Sequence, residues 1–145
     1  MLLEGCLFGL LLLFIINDVS IMSFKNIVYQ DDLLLNLYLC IGAGIWEEAL
    51  FRFFLFFFIY KILSYFEISD LFLSLYIVVF FSALLFSIFH YVGYSGESFN
   101  INSFIMRFLA GIYLSILYHF RGLGVVVMSH VSYDFILVSL PLIYT

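Results

Sequence analysis

The stretch WEEALFRFF, Trp46–Phe54, places two adjacent carboxylates and an arginine inside an apolar run. LLLNLYLCIGAGI (33–45) precedes it and LFFFIYKILSYF (55–66) follows it. What those charges cost depends on whether the chain folds in water or in lipid. The composition is 66% hydrophobic and only 10% charged, against ~45–50% apolar and ~25% charged in a soluble domain. A chain of 145 residues with so few polar side chains cannot cover a water-facing surface. The expected fold class is therefore all-α, a polytopic integral membrane helical bundle. The net charge of -5 is thinly spread and no basic run exists, which excludes a nucleic-acid partner. The partners left are the lipid bilayer and whatever the chain meets within it.

Helical spans need about 20 apolar residues, and five candidates appear. The first is Leu2–Ile16, read as a retained span because it lacks a basic n-region and a small-residue cleavage site. A polar loop, Asn17–Asp32, follows. The second run, Leu33 to about Phe66, is too long for one upright helix. It is expected to tilt, to protrude, or to break near Gly42 and Gly44. Leu71 to about Val92 is the third span, followed by the loop Gly93–Asn102. Ser103 to Tyr118 is the fourth, His119–Gly124 a tight turn, and Val125 to Ile143 the fifth, with the only proline, Pro141, near its end. The runs are continuous and lack the alternation of barrel strands. The chain reads as a single membrane domain over 1–145, with the first span and polar loop in 1–32 and a core in 33–145. Lys61 and Arg121 fall on one side and Lys25 on the other, which puts the N-terminus in the cytoplasm. Cys6 and Cys40 lie in apolar stretches and suggest no disulfide framework.

An ionisable group within a span costs at least ~2.5 kcal/mol, so such groups are kept where they pair or do chemistry. The set here is Glu47, Glu48, Arg52, His90, His130 and Asp134, with Arg107 a less clear member. Glu48 and Arg52 are four apart, acid first, the favourable order for a helical ion pair. Glu47 is rotated about 100° from Glu48 and is left to face a cavity. His130 and Asp134 are also four apart, so Asp134 can hydrogen-bond His130 and fix its tautomer. Phe86 and His90 share that spacing. Each pairing taken singly also has a structural reading, as an ion pair, an interfacial histidine, a satisfied polar pair or core packing.

Together, one Glu and two His from three helices fit two chemistries. Metal binding would use Glu47, His90 and His130, although the HExxH ligand pair is missing. Metal-free hydrolysis would have Glu47 take a proton from water and a histidine stabilise the oxyanion. The second is favoured, so no cofactor is expected. Metal or haem held by His90 and His130 without proteolysis stays open as another reading.

The order EEALFR, FSIFH, HVSYD (Glu47-Glu48-xxx-Arg52, Phe86-xxx-His90, His130-xxx-Asp134) resembles the CAAX protease and bacteriocin-processing family of intramembrane endopeptidases. The resemblance covers about Leu33 to Leu140, and Arg107–Phe135 is similar to the family's last two core helices. It implies a glutamic-type intramembrane protease acting on a membrane-associated protein or peptide. Glu47 would be the base, Glu48 and Arg52 its supporting pair, and His90 and His130 the oxyanion-stabilising and water-orienting groups. Asp134 stands where the family often has Asn, and Phe53 where it often has Gly. The family's non-catalytic alternative is a bacteriocin-immunity or regulatory protein that binds a membrane peptide. Abundant Phe, Ile, Tyr, Asn and Leu with little Ala and Pro suggest a low-GC bacterium, hence a bacterial cytoplasmic membrane and a substrate other than a prenylated CAAX protein.

Overall fold

In the computed structural model, which describes residues 1–16, 33–92 and 98–143, the described residues form helices and their connections, with no strand. They are α1 (Leu2–Ile16), α2 (Leu33–Glu48), a π-helical segment (Ala49–Phe54), α3 (Leu55–Tyr65), α4 (Leu71–Phe89), α5 (Ile101–Arg121) and α6 (Leu123–Ile143). The expected loop 17–32 and residues 93–97 of the expected loop 93–102 lie outside the described residues.

Local signals fix the helix ends. Asp70 caps α4 by accepting the Leu73 amide at 2.8 Å, and Asn100 caps α5 by accepting the amides of Asn102 and Ser103. Both satisfy amides that a helix start leaves without partners. α5 runs on to Arg121, beyond the expected Tyr118, and α6 starts at Leu123. The expected turn at His119–Gly124 thus shrinks to Gly122, whose φ of 78° suits a residue without a Cβ.

The long second run does not break at its glycines; it stays helical from Leu33 to Tyr65, with a π-helical segment in its middle. Helix continues through Gly42 and Gly44, and the irregularity falls on Ala49–Phe54, directly after the two glutamates. A glycine between helix formers costs only about 1 kcal/mol and need not end a helix. Here Gly44 gives close approach instead, since a Cβ there would sit 2.6 Å from Val131 Cγ2 of α6. In the π segment hydrogen bonds lengthen to five residues, as from the Leu55 amide to the Leu50 carbonyl. Such segments shift backbone carbonyls out of the α-helical ladder. Ser82 of α4 meets one of them, donating to the Phe51 carbonyl at 2.9 Å.

The bundle is arranged as lipid demands. Glu48, Arg52, Ser82, Ser87, Ser115 and Ser129 are fully buried, while Phe57, Phe58, Phe72, Tyr76 and many other large apolar side chains are exposed. A water-soluble fold has the opposite arrangement, and apolar surface this extensive needs a lipid surround. α4 and α5 are each long and apolar enough to cross a membrane alone, whereas α1 and Leu123–Ser139 are apolar but shorter. α4 and α5 pack against each other, α6 packs on α5, α2 on α6, and α1 along α6. Gly111 lets α5 approach α4, where a Cβ would lie 2.9 Å from Ala83 Cα.

Gly111→Val should therefore destabilise the protein by about 1–3 kcal/mol through overpacking against backbone. Gly42→Ala, with nothing within 4 Å of the added methyl, should keep stability or raise it by up to about 1 kcal/mol. Thermal unfolding of the two variants in one detergent checks the difference.

Candidate active site

The polar residues picked out by spacing converge where α2, the π segment, α4 and α6 meet. Glu48 and Arg52 form an ion pair, Oε1 to Nη1 at 3.0 Å, with both side chains 0% exposed. The contact is an ion pair rather than an aligned hydrogen bond. Two further groups hold the arginine. Its guanidinium lies over the Phe86 ring, 4.5 Å from the centroid, and Nη2 donates to the Gly111 carbonyl at 3.4 Å. Phe86 is thus more than core packing. Its ring also meets His90 and His130 edge-on, at 5.0 and 5.9 Å between centroids.

His130 Nδ1 donates to Glu48 Oε1 at 2.7 Å. This corrects the expectation that Asp134 fixes the histidine. Asp134 Oδ2 stands 3.6 Å from Nε2, beyond hydrogen-bond length, and on the other edge of the ring. Glu48 makes the bond at Nδ1, which leaves Nε2 as the edge that can take up or give a second proton. The bond links residues 82 apart in sequence, so helical periodicity could not disclose it. One oxygen, Glu48 Oε1, serves both Arg52 and His130.

His90 closes α4 as its C-cap. Its Nδ1 lies 2.9 Å from the Phe86 carbonyl, and a carbonyl only accepts, so Nδ1 holds a proton. Both imidazoles therefore turn Nε2 the same way, towards Glu47. His90 Nε2 is 4.0 Å from Glu47 Oε1, and His130 Nε2 is 3.8 Å from Glu47 Oε2. Upright helices would separate the two histidines in depth; in this bundle both reach one carboxylate.

The two glutamates thus differ as their 100° rotation predicts. Glu48 is sealed among charged partners, while Glu47 is 16% exposed beside His90 at 23% and Asp134 at 14%. Gaps of 3.8 and 4.0 Å are too long for direct hydrogen bonds, and their width suits a bridging water. Arg107 belongs to the rim. It donates to the Tyr91 hydroxyl at 3.2 Å and lies over that ring. Phe53, which stands where the family often has Gly, is exposed. Among the described residues, no group of three or more His, Cys, Asp and Glu has the arrangement of a metal site. Cys6 and Cys40 are both free thiols. Spacing passed over Gly44, Ser82 and Gly111. Their only signal was a small or hydroxyl residue in an apolar helix, the usual sign of close approach or of a hydroxyl seeking a carbonyl.

The family profile of the type II CAAX prenyl endopeptidase, Rce1-like, matches residues 29–136, which include every residue of this cluster. The chain belongs to that family. The Rce1-like match carries with it the class of membrane-embedded CAAX-type proteases, and the polar-inside, apolar-outside bundle agrees with it. No curated protein and no solved structure matches the chain. The Rce1-like segment starts after α1 and ends within α6, so α1 lies outside the matched residues.

Arg52→Ala would strand the buried Glu48 carboxylate and loosen His130 together. A loss of about 3–5 kcal/mol is expected, read as a lower thermal midpoint and lower membrane abundance than wild type.

Proposed function

We propose that this protein is a glutamic-type intramembrane endopeptidase that hydrolyses a peptide bond of a membrane-associated protein or peptide. One observation carries the proposal. A single partly exposed carboxylate, Glu47, is faced on its two oxygens by the Nε2 edges of two histidines, with a sealed ion pair behind one of them.

A water held between Glu47 and the histidines is the nucleophile. Glu47 takes one proton from it, and the water oxygen forms a bond to the carbonyl carbon of the substrate. The carbonyl π electrons move to oxygen, and a protonated imidazole donates through Nε2 to that oxyanion. Collapse of the tetrahedral intermediate breaks the C–N bond. Glu47 returns its proton to the leaving amine and regains its charge, ready for another turn. Glu48 and Arg52 touch no reacting atom in this scheme; they hold His130 by Nδ1 and fix which edge it presents. Asp134 lies beside His130 Nε2 and adds to the negative field around that ring. No step passes through a metal. Were an ion bound, Glu47, His90 and His130 would be its ligands.

The whole path is proposed to cross the membrane five times, with α2, the π segment and α3 forming one long passage. The π segment puts the site beside irregular backbone, which a membrane interior tolerates where it lines a cavity. Residue usage supports a bacterial cytoplasmic membrane as the location.

Glu47→Ala should lower cleavage about 10²–10⁴-fold, the usual worth of a general base, at unchanged abundance and thermal midpoint. Membrane-protein termini mapped by mass spectrometry, wild type against Glu47→Ala at matched expression, would give the substrate and its cleavage site. Identical termini in the two strains would overturn the proteolytic role and favour peptide binding without cleavage. Cleavage by the purified protein should also persist after exhaustive chelation. Loss of activity on chelation, restored by zinc, would instead make Glu47 and the histidines metal ligands.

A further inference from the structure

α1 lies outside the family match, which begins at residue 29, yet it is packed closely along α6 and touches α5. Its buried residues are Gly5, Gly9, Leu12 and Ile16, spaced as one helical stripe. A Cβ on Gly5 would run into Met128, and one on Gly9 would lie 2.7 Å from the Ser129 carbonyl oxygen and 2.9 Å from Ser132 Cβ. Backbone meets backbone here with no flexible side chain between, the close packing that small residues four apart allow in lipid. Three polar contacts fasten the rest of the helix. Tyr113 of α5 donates its hydroxyl to the Phe8 carbonyl at 2.9 Å. Ser132 of α6 donates its one proton to the Met128 carbonyl at 2.6 Å and sets its oxygen 3.4 Å from Cys6 Sγ, and Arg121 pairs with Glu4. Leu12 and Ile16 complete the core shared by Leu114, Val126, Tyr133 and Leu137.

The other side of α6 has a matching contact. Gly44 of α2 meets Val131 there, with a Cβ placed 2.6 Å from Val131 Cγ2. One residue away, His130 reaches Glu48. The segment Ser129–Ser132 is therefore gripped between two glycine contacts, Gly9 of α1 on one side and Gly44 of α2 on the other. A helix is stiff over one turn, so a shift imposed at Ser129 moves His130 with it.

We infer that α1 is the outer jaw of a clamp on α6, and that Gly5 and Gly9 are positioning residues holding His130 against Glu48. The inference rests on the proposed role of His130 for its effect on rate, but the His130–Glu48 contact can be read without any substrate. The chain has 3 histidines, so full-length protein labelled with ¹⁵N in histidine alone gives a tractable imidazole spectrum. His130→Gln assigns the third ring by its disappearance. Wild type and Gly42→Ala should show a slowly exchanging Nδ1–H signal from His130. Gly9→Val should lose or shift that signal and leave the other imidazoles in place. It should also lower kcat by about 10- to 100-fold, as small misplacements of a reacting group do, with KM little changed. Gly9→Ala, which adds one methyl, replaces it if valine prevents folding. An unchanged His130 signal in the Gly9 variant overturns the clamp, whatever the activity. An intact wild-type signal with no cleaved terminus in any membrane would instead overturn the proteolytic role, and the clamp would stand on the shifted signal alone.

Discussion

Glu48 Oε1 accepts from His130 and pairs with Arg52 at once, and the rest of the site depends on that shared oxygen. A charge fully removed from water is tolerated only where opposite charge and hydrogen bonds meet it. Each partner comes from a different element. Glu48 ends α2, Arg52 lies in the π segment and His130 projects from α6. Neutralising one carboxylate therefore fixes the mutual position of three parts of the chain. Phe86 from α4 and the Gly111 carbonyl from α5 then close around the guanidinium, so five elements meet at one charge pair.

That constraint explains why two identical neighbours behave differently. Glu47 and Glu48 share chemistry and differ only by one residue's rotation about the helix axis. The rotation turns Glu48 into the bundle, where Arg52 and His130 consume its charge. It turns Glu47 into the space between the two histidines, where its charge remains to act on a substrate or a water. The sealed glutamate gives the open one its setting, because it decides which nitrogen of His130 is turned towards Glu47.

Small and hydroxyl residues serve the same end by another route. Gly9, Gly44 and Gly111 each stand where a Cβ would strike the next helix, and Ser82 answers a carbonyl of the π segment. In lipid, apolar side chains gain little by leaving the solvent, so close backbone contact and interhelical hydrogen bonds carry the association. The large apolar residues, above all phenylalanine, are free to face outward, as most of them do.

The all-helical membrane class followed from the sequence because composition and continuous apolar runs admit little else. The six ionisable residues that meet in the bundle stood out too, since charge in an apolar helix is costly enough to be kept only where it pairs or does chemistry, and a spacing of four put Glu48 with Arg52. The start of α4 at Leu71 was as expected, whereas α5 starts two residues before the expected Ser103, where the Asn100 side chain caps it. The π segment after Glu48, the partner of His130 and the meeting of both histidines on Glu47 were not legible. Gly42 and Gly44 drew the expected break towards themselves, but a glycine's effect depends on what approaches it, and Val131 approaches from 87 residues away. Asp134 looked like the partner of His130 because it is one helical turn off, whereas Glu48 wins by lying closer across the bundle. Sequence determined which residues are too costly to be idle. Tertiary structure decided which of them touch, because contacts between helices depend on depth and rotation that no spacing along one helix records.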